Sequence, residues 1–294
     1  MRTAGVDLAA EPKGTALAVI DWADSRASLC ELHLGVADNI IARTAGTVEK
    51  LGIDCAFGWP DEFVHFVVAH SSGDQSRPGV DGGMDWRRTL AYRETDRDVR
   101  KRTGRWPLSV STDRLGLTAM RCAGLLARIS ETGITVDRSG SGVVAEIYPG
   151  ASLRLWGFST TGYRTEPTIR EQLLQRILDA APWLDLGSFA PQMITSADAF
   201  DAVIAALAAR SAALGFYEPP EPSMIDRARR EGWILLPSGS LADLRRESSE
   251  CFSVPPPRCA VIYGSCSGLL APGPRHGCRD PKVFDGLPLR PEIS

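Results

Sequence analysis

Three strand-forming runs, at residues 3–9, 15–22 and 28–34, follow one another with turns too short to carry a crossover. Glu11-Pro12-Lys13-Gly14 joins the first two, with Gly14 available for positive φ. Strands joined this closely pair antiparallel, so the chain is expected to begin as a meander. A helix should come next, from an Asp38 cap to about residue 51. Ile40, Ile41, Ala45 and Val48 give it an apolar stripe, and Gly52 ends it. A strand reached through a helix runs parallel, so residues 53–57 should lie parallel to the first strand.

Beyond this point helices and strands alternate. Periodicity and caps predict helices at 61–69, 114–129, 166–178 and 195–214, and strands at 143–148 and 232–237. This order predicts an RNase H-like α/β domain: a mixed sheet, three antiparallel strands then parallel strands, flanked by helices. The domain is expected over 1–247, with a mobile insertion at 71–110. Residues 248–294 form a Pro/Gly/Cys-rich tail expected to be irregular.

Length and composition permit such a domain. The 294 residues are 44% hydrophobic and 23% charged, enough for a core without disulfide staples. Cys30, Cys55 and Cys122 sit in apolar patterns and read as reduced core residues. Cys251, Cys259, Cys266 and Cys278 are too widely spaced for a zinc knuckle. No apolar run approaches the ~20 residues of a membrane span. Met1-Arg2-Thr3 leads into a strand without a signal-peptide pattern, so a cytoplasmic location is the default expectation. The net charge of −3 does not advertise nucleic-acid binding. Residues 86–105 differ: Arg87, Arg88, Arg93, Arg97, Arg100, Lys101, Arg102 and Arg105 stand against Glu94, Asp96 and Asp98. Such a run either contacts phosphates or is a solvated, partly self-paired surface.

The acids carry the chemistry. Asp7 lies in an apolar strand, beside Val6 and Leu8, where an uncompensated carboxylate is costly. Asp54 and Glu146 occupy comparable places in later strands, and acids on neighbouring strands can converge at one end of a sheet. Asp198 and Asp201, three apart, share a face of the alanine-rich helix at 195–214. Asp198 also has a bland reading as a favourable charge at a helix N-terminus. Gathered together, these five carboxylates are ligands for Mg²⁺ or Mn²⁺.

Several short motifs occur in order: Gly5-Val6-Asp7, the segment 53–60, Arg93-Glu94-Thr95-Asp96, Glu146-Ile147-Tyr148-Pro149-Gly150-Ala151, Gly162-Tyr163-Arg164, Asp198-Ala199-Phe200-Asp201-Ala202 and Glu231-Gly232-Trp233-Ile234. Over about residues 3–240 the chain resembles domain-of-unknown-function family 429, predicted nucleases with an RNase H fold. The segment 198–202 also resembles the last acidic motif of RuvC-type resolvases. The resemblance implies Asp7, Asp54, Glu146 and Asp201 as the acidic site. It places Arg93, Tyr163 and Arg164 at polar positions facing substrate. Arg164 stands where a lysine is expected, which keeps the charge and changes the geometry. Arg97, in the basic run, is a further candidate for substrate contact.

The leading expectation is therefore metal-dependent hydrolysis of phosphodiester bonds in nucleic acid. The alternatives are an actin-like or sugar-kinase-like ATP-dependent phosphotransferase, with Lys13-Gly14-Thr15 near phosphate, and a non-catalytic module that binds nucleic acid or protein on the same fold.

Overall fold

A computed structural model of the chain describes residues 1–73 and 82–246; the tail expected at 248–294, with its four cysteines, lies outside the described residues. The meander forms as expected from β1 (Arg2–Asp7), β2 (Ala16–Ala23) and β3 (Arg26–Leu34). β1 and β2 pair antiparallel from Arg2 opposite Asp21 to Asp7 opposite Ala16. β2 and β3 pair antiparallel with an irregularity between Val19 and Ile20. α1 (Asp38–Ala45) then leads to β4 (Lys50–Asp54), parallel to β1 with Asp7 directly beside Asp54.

Four helices follow: α2 (Asp61–Ser72), α3 (Gly83–Ala91), α4 (Glu94–Thr103) and α5 (Gly116–Glu131). β5 (Val144–Glu146) pairs parallel with β4. Then come α6 (Pro149–Leu155), α7 (Pro167–Ala180) and β6 (Leu184–Asp185), which pairs parallel with β3. α8 (Ala190–Thr195), α9 (Ala197–Ala213) and α10 (Ile225–Glu231) complete the described helices of the α type. The sheet has six strands in the order β5-β4-β1-β2-β3-β6. It is antiparallel at its centre and parallel at both flanks. No described helix is long and apolar enough to cross a membrane.

Alternation along the strands divides the sheet into two faces. Ala4, Val6, Leu51, Ile53 and Val144 form one core with Ile41 and Ala45 of α1 and Leu125 and Ile129 of α5. The opposite face carries Thr3, Gly5 and Gly52, and here α9 lies against the strands. Every α9 residue from Ala199 to Ala212 is buried, as expected of a helix that is apolar on all sides. Its alanines allow backbone-to-backbone approach. A Cβ on Gly5 would come within 2.2 Å of the Ala202 carbonyl oxygen and the Ala206 nitrogen, and one on Gly52 within 2.9 Å of the Ala205 carbonyl oxygen. The Thr3 hydroxyl donates to the Ala206 carbonyl at 3.0 Å, pinning the helix to β1.

Several expected boundaries move. α1 ends at Ala45, and β4 starts at Lys50 and ends at Asp54, so residues 55–57 lie beyond the strand. Residues 232–237 make only isolated bridges, Ile234 with Glu146 and Pro237 with Tyr217, because Glu146 is the last residue of its own strand. Cys30, expected in the core, is exposed; Cys55 is half-buried and Cys122 buried, and all three are free thiols. Of the stretch 71–110, expected as a mobile insertion, residues 74–81 lie outside the described residues; the rest contains α3 and α4, and α4 buries Thr95, Asp96 and Val99.

The close approach at Gly5 makes a sharp stability prediction. Gly5→Ala should cost about 3 kcal/mol or more, because the atoms in its way are helix backbone. Gly124→Ala, at an exposed position of α5 with open space around its Cβ position, should instead stabilise by about 0.5–1 kcal/mol. Urea denaturation of both variants checks the pair.

Candidate metal centre

β1 and β4 each end in an aspartate, and parallel pairing sets the two side by side on the α9 face. α9 supplies the third. Ser196 caps the helix, its hydroxyl accepting from the Ala199 N–H at 3.1 Å, which places Asp201 in the second turn. Asp7, Asp54 and Asp201 thus converge from three elements, with one ligand oxygen from each lying within 4.8 Å of the others. Asp201 is fully buried and Asp7 is 7% exposed; Asp54 is half-buried.

Few groups neutralise this cluster. The Tyr163 hydroxyl donates to Asp201 Oδ1 at 2.8 Å. Arg164 reaches Asp201 Oδ2 at 2.8 Å and Asp7 Oδ2 at 3.5 Å. Its N–H is not aligned for a hydrogen bond to Asp201, so Oδ2 is a buried acceptor without a donor. Asp54 makes no hydrogen bond or ion pair among the described residues. Burial, and then the charges of Asp54 and Asp201, push the Asp7 carboxyl well above the usual carboxylate range. Burial and Asp201 push Asp54 up to about 8. Asp201 rises less, to about 6: burial raises it, and Arg164 and Tyr163 pull it back.

The other expected site residues fall elsewhere. Glu146 is opposite Ile53 in the β4–β5 register, so alternation turns it to the face opposite Asp54. There it is buried against Arg93, which donates to both its oxygens at 2.8 and 2.9 Å; the Phe57 N–H adds a third bond at 3.0 Å. Arg93 also grips Asp96 at 2.9 Å and donates to the Glu231 carbonyl at 3.0 Å. It is 3% exposed and faces no substrate. Arg97 pairs with Glu94 at 3.4 Å and donates to the carbonyls of Arg88 and Tyr92. Asp198 stands at the rim, 43% exposed, 3.9 Å from Arg164. Of the nine expected residues, Asp7, Asp54, Asp201, Tyr163 and Arg164 are brought together. Glu146, Arg93 and Arg97 are not, and Asp198 is only adjacent.

Two supporting residues stand outside the expected site: Arg170, which no sequence motif marks, and Glu231, which opens the Glu231-Gly232-Trp233-Ile234 motif but has no role assigned by it. Buried Arg170 donates to the carbonyls of Tyr163, Arg164, Ile194 and Thr195. It thereby ties the loop before α7 to the junction before α9. Buried Glu231 accepts from the N–H of Asp61 at 2.8 Å and of Glu94 at 3.1 Å, anchoring the starts of α2 and α4. Nothing local in the sequence separates Arg170 from any arginine on a helix.

The two sets of acids should respond oppositely to neutralisation. Glu146→Ala leaves part of the buried Arg93 charge uncompensated and should destabilise by about 3–5 kcal/mol. Asp54→Asn removes a carboxyl that must hold a proton to stay buried, and should leave stability unchanged or higher at neutral pH. Urea denaturation in the presence of a chelator separates the two.

No curated protein and no solved structure matches the chain significantly. The family model described as Protein of unknown function (DUF429) matches residues 5–224, from the strand that carries Asp7 through the helix that carries Asp201. The chain belongs to the DUF429 family.

Proposed function

We propose that this chain is a metal-dependent nuclease on an RNase H-like fold, binding Mg²⁺ or Mn²⁺ and hydrolysing phosphodiester bonds in nucleic acid. One observation carries the reading: Asp7, Asp54 and Asp201, distant in sequence, present oxygens within 4.8 Å of one another with little neutralising charge. The antiparallel meander beside parallel β4 and β5 supports the fold assignment. The donor set fits the cation. It is all carboxylate oxygen, suited to hard divalent ions; among the described residues the Asp54 side chain has no hydrogen-bond or ion-pair partner, and Asp201 Oδ2 has only the unaligned Arg164 contact.

Such a cation, when bound, supplies Lewis-acid polarisation of a phosphoryl oxygen and activation of water. The chain's own residues do the rest. Asp7 and Asp54 hold their oxygens side by side at the ends of paired strands. Tyr163 fixes the Asp201 rotamer through Oδ1 and leaves Oδ2 beside Arg164. Arg164, half-exposed, offers a guanidinium to an incoming oxyanion. Arg87, Arg88, Arg100, Lys101 and Arg105 of the basic run are exposed, Arg88 beside Asp85, and in this reading they are offered to a phosphate backbone.

In the absence of cation the raised carboxyl groups weaken the fold as pH rises. A carboxyl whose folded pKa exceeds its unfolded value keeps its proton in the folded state over the interval between them, so stability falls as pH climbs through it. For Asp54 that window runs from the ordinary aspartate value up to about 8. Stabilisation by Mn²⁺ should therefore grow over the same interval. At a roughly hundredfold excess over Kd it should raise Tm by about 5 °C or more at the upper end, and the shift should vanish in Asp54→Asn/Asp201→Asn. Calorimetric scans at stepped pH check this.

Cleavage of single-stranded, duplex and branched DNA and RNA with Mn²⁺ tests the activity itself. Wild type should cut at least one of them. Asp7→Asn, Asp54→Asn and Asp201→Asn should each lose about a hundredfold or more in rate. Absence of cleavage on every substrate, or undiminished cleavage by Asp7→Asn, overturns the nuclease reading.

A further inference from the structure

Arg164 is the one cation within ion-pair distance of the acid trio among the described residues. It reaches Asp201 at 2.8 Å, Asp7 at 3.5 Å and rim Asp198 at 3.9 Å. Two of these carboxylates belong to the trio, so the guanidinium supplies there part of the positive charge a divalent ion would bring; it makes no ion pair with Asp54. It is nevertheless poorly built in. Its side chain is 50% exposed, its Asp201 contact is unaligned, and its other contacts are long. Compare Arg93, whose carboxylate bonds run from 2.8 to 3.2 Å in full burial.

The backbone beneath Arg164 is, by contrast, fixed. Gly162 at φ +78° turns the chain, and buried Arg170 donates to the Tyr163 carbonyl at 2.6 Å and the Arg164 carbonyl at 3.3 Å. Tyr163 is itself buried and bonded to Asp201. The loop therefore stays while the Arg164 side chain, free toward solvent on one side, can change partner.

We propose that Arg164 is an exchangeable counter-ion: it neutralises the trio in the cation-free protein, and turns to hold a substrate oxyanion at the mouth when a divalent cation takes over the acids. The inference rests on the metal-site reading and adds a role to it. Two positive charges cannot share the same carboxylates without repulsion, so cation entry loosens the guanidinium. Its planar donor fork, released beside the cluster, matches a phosphoryl or other tetrahedral oxyanion. Arg164 thus serves as a positioning residue whose partner depends on occupancy.

Titration calorimetry with Mn²⁺ on the full chain tests this, comparing wild type with Arg164→Gln and Arg164→Lys, each checked for folding by circular dichroism. Arg164→Gln should bind Mn²⁺ about tenfold more tightly than wild type, with Arg164→Lys between them. A merely structural arginine predicts the reverse, because loosening the site weakens the ion. Sulfate, used as the oxyanion probe, should bind wild type only when Mn²⁺ is present, and Arg164→Gln in neither condition. Equal or weaker Mn²⁺ binding by Arg164→Gln overturns the exchange and leaves the metal site standing. Equal sulfate binding by the two proteins overturns the oxyanion role. No Mn²⁺ binding by wild type or variant overturns the metal site and this inference together.

Discussion

The close approach of α9 to β1 and β4 is the constraint on which the site depends. Helix backbone meets strand backbone at Gly5 and Gly52, where no side chain fits. The Thr3–Ala206 hydrogen bond fixes the axial position of the helix. With the axis and height set, Asp201 can face only the end of the strand pair, where Asp7 and Asp54 lie. A buried helix satisfies its interior backbone groups internally, so little polar cost attaches to placing it there. The large cost is the trio of acids, and it is accepted at one end of the sheet only.

The same protein shows how buried acids are handled when their role is structural. Glu146 and Asp96 share Arg93, and the Phe57 and Arg93 backbone N–H groups complete their coordination. Every strong contact there is short and aligned. On the other face of the sheet the trio has one half-exposed guanidinium, one tyrosine hydroxyl and a buried oxygen without a donor. A fold that gives one set of acids a buried arginine and aligned N–H donors has the means to do the same for the other, even where burial still holds the Glu146 carboxyl above its ordinary value. Leaving the second set short of positive charge favours a site that receives its charge from outside the chain.

Much of this was readable in the chain, and the failures have a common cause. The meander, the crossover to β4 and the apolar helix at 195–214 follow from turn lengths and periodicity, which are local. Asp7, Asp54 and Asp201 were found because each is an acid in an apolar element. Glu146 satisfied the same criterion and was misplaced, because its face depends on the register of β5 against β4, and a one-residue difference in register reverses every side chain. Arg93 was read as facing substrate for a related reason: a basic run looks solvated until tertiary contacts bury one member. Residues 232–237 form no strand because Ile234 meets Glu146 at the last residue of a three-residue strand, leaving room for a single bridge there. Arg170 acts through backbone groups remote in sequence, which leave no residue pattern to detect; Glu231 stands in a visible motif, but its backbone partners at Asp61 and Glu94 are remote and leave its role unmarked.

Arg170 also explains why a site with a movable arginine need not be a loose one. It bonds the carbonyls of Tyr163 and Arg164 on one side and those of Ile194 and Thr195 on the other. The base of Arg164, the hydroxyl of Tyr163 and the start of α9 therefore form one connected unit. Asp201 keeps its orientation through Tyr163 whether or not Arg164 stays beside it. Preorganised oxygens lower the reorganisation needed when charge enters a site. In this arrangement rigidity resides in the backbone and in Asp201, and freedom is confined to one side chain at the solvent edge. In the proposed exchange, that division lets the acids stay fixed while the charge that balances them changes.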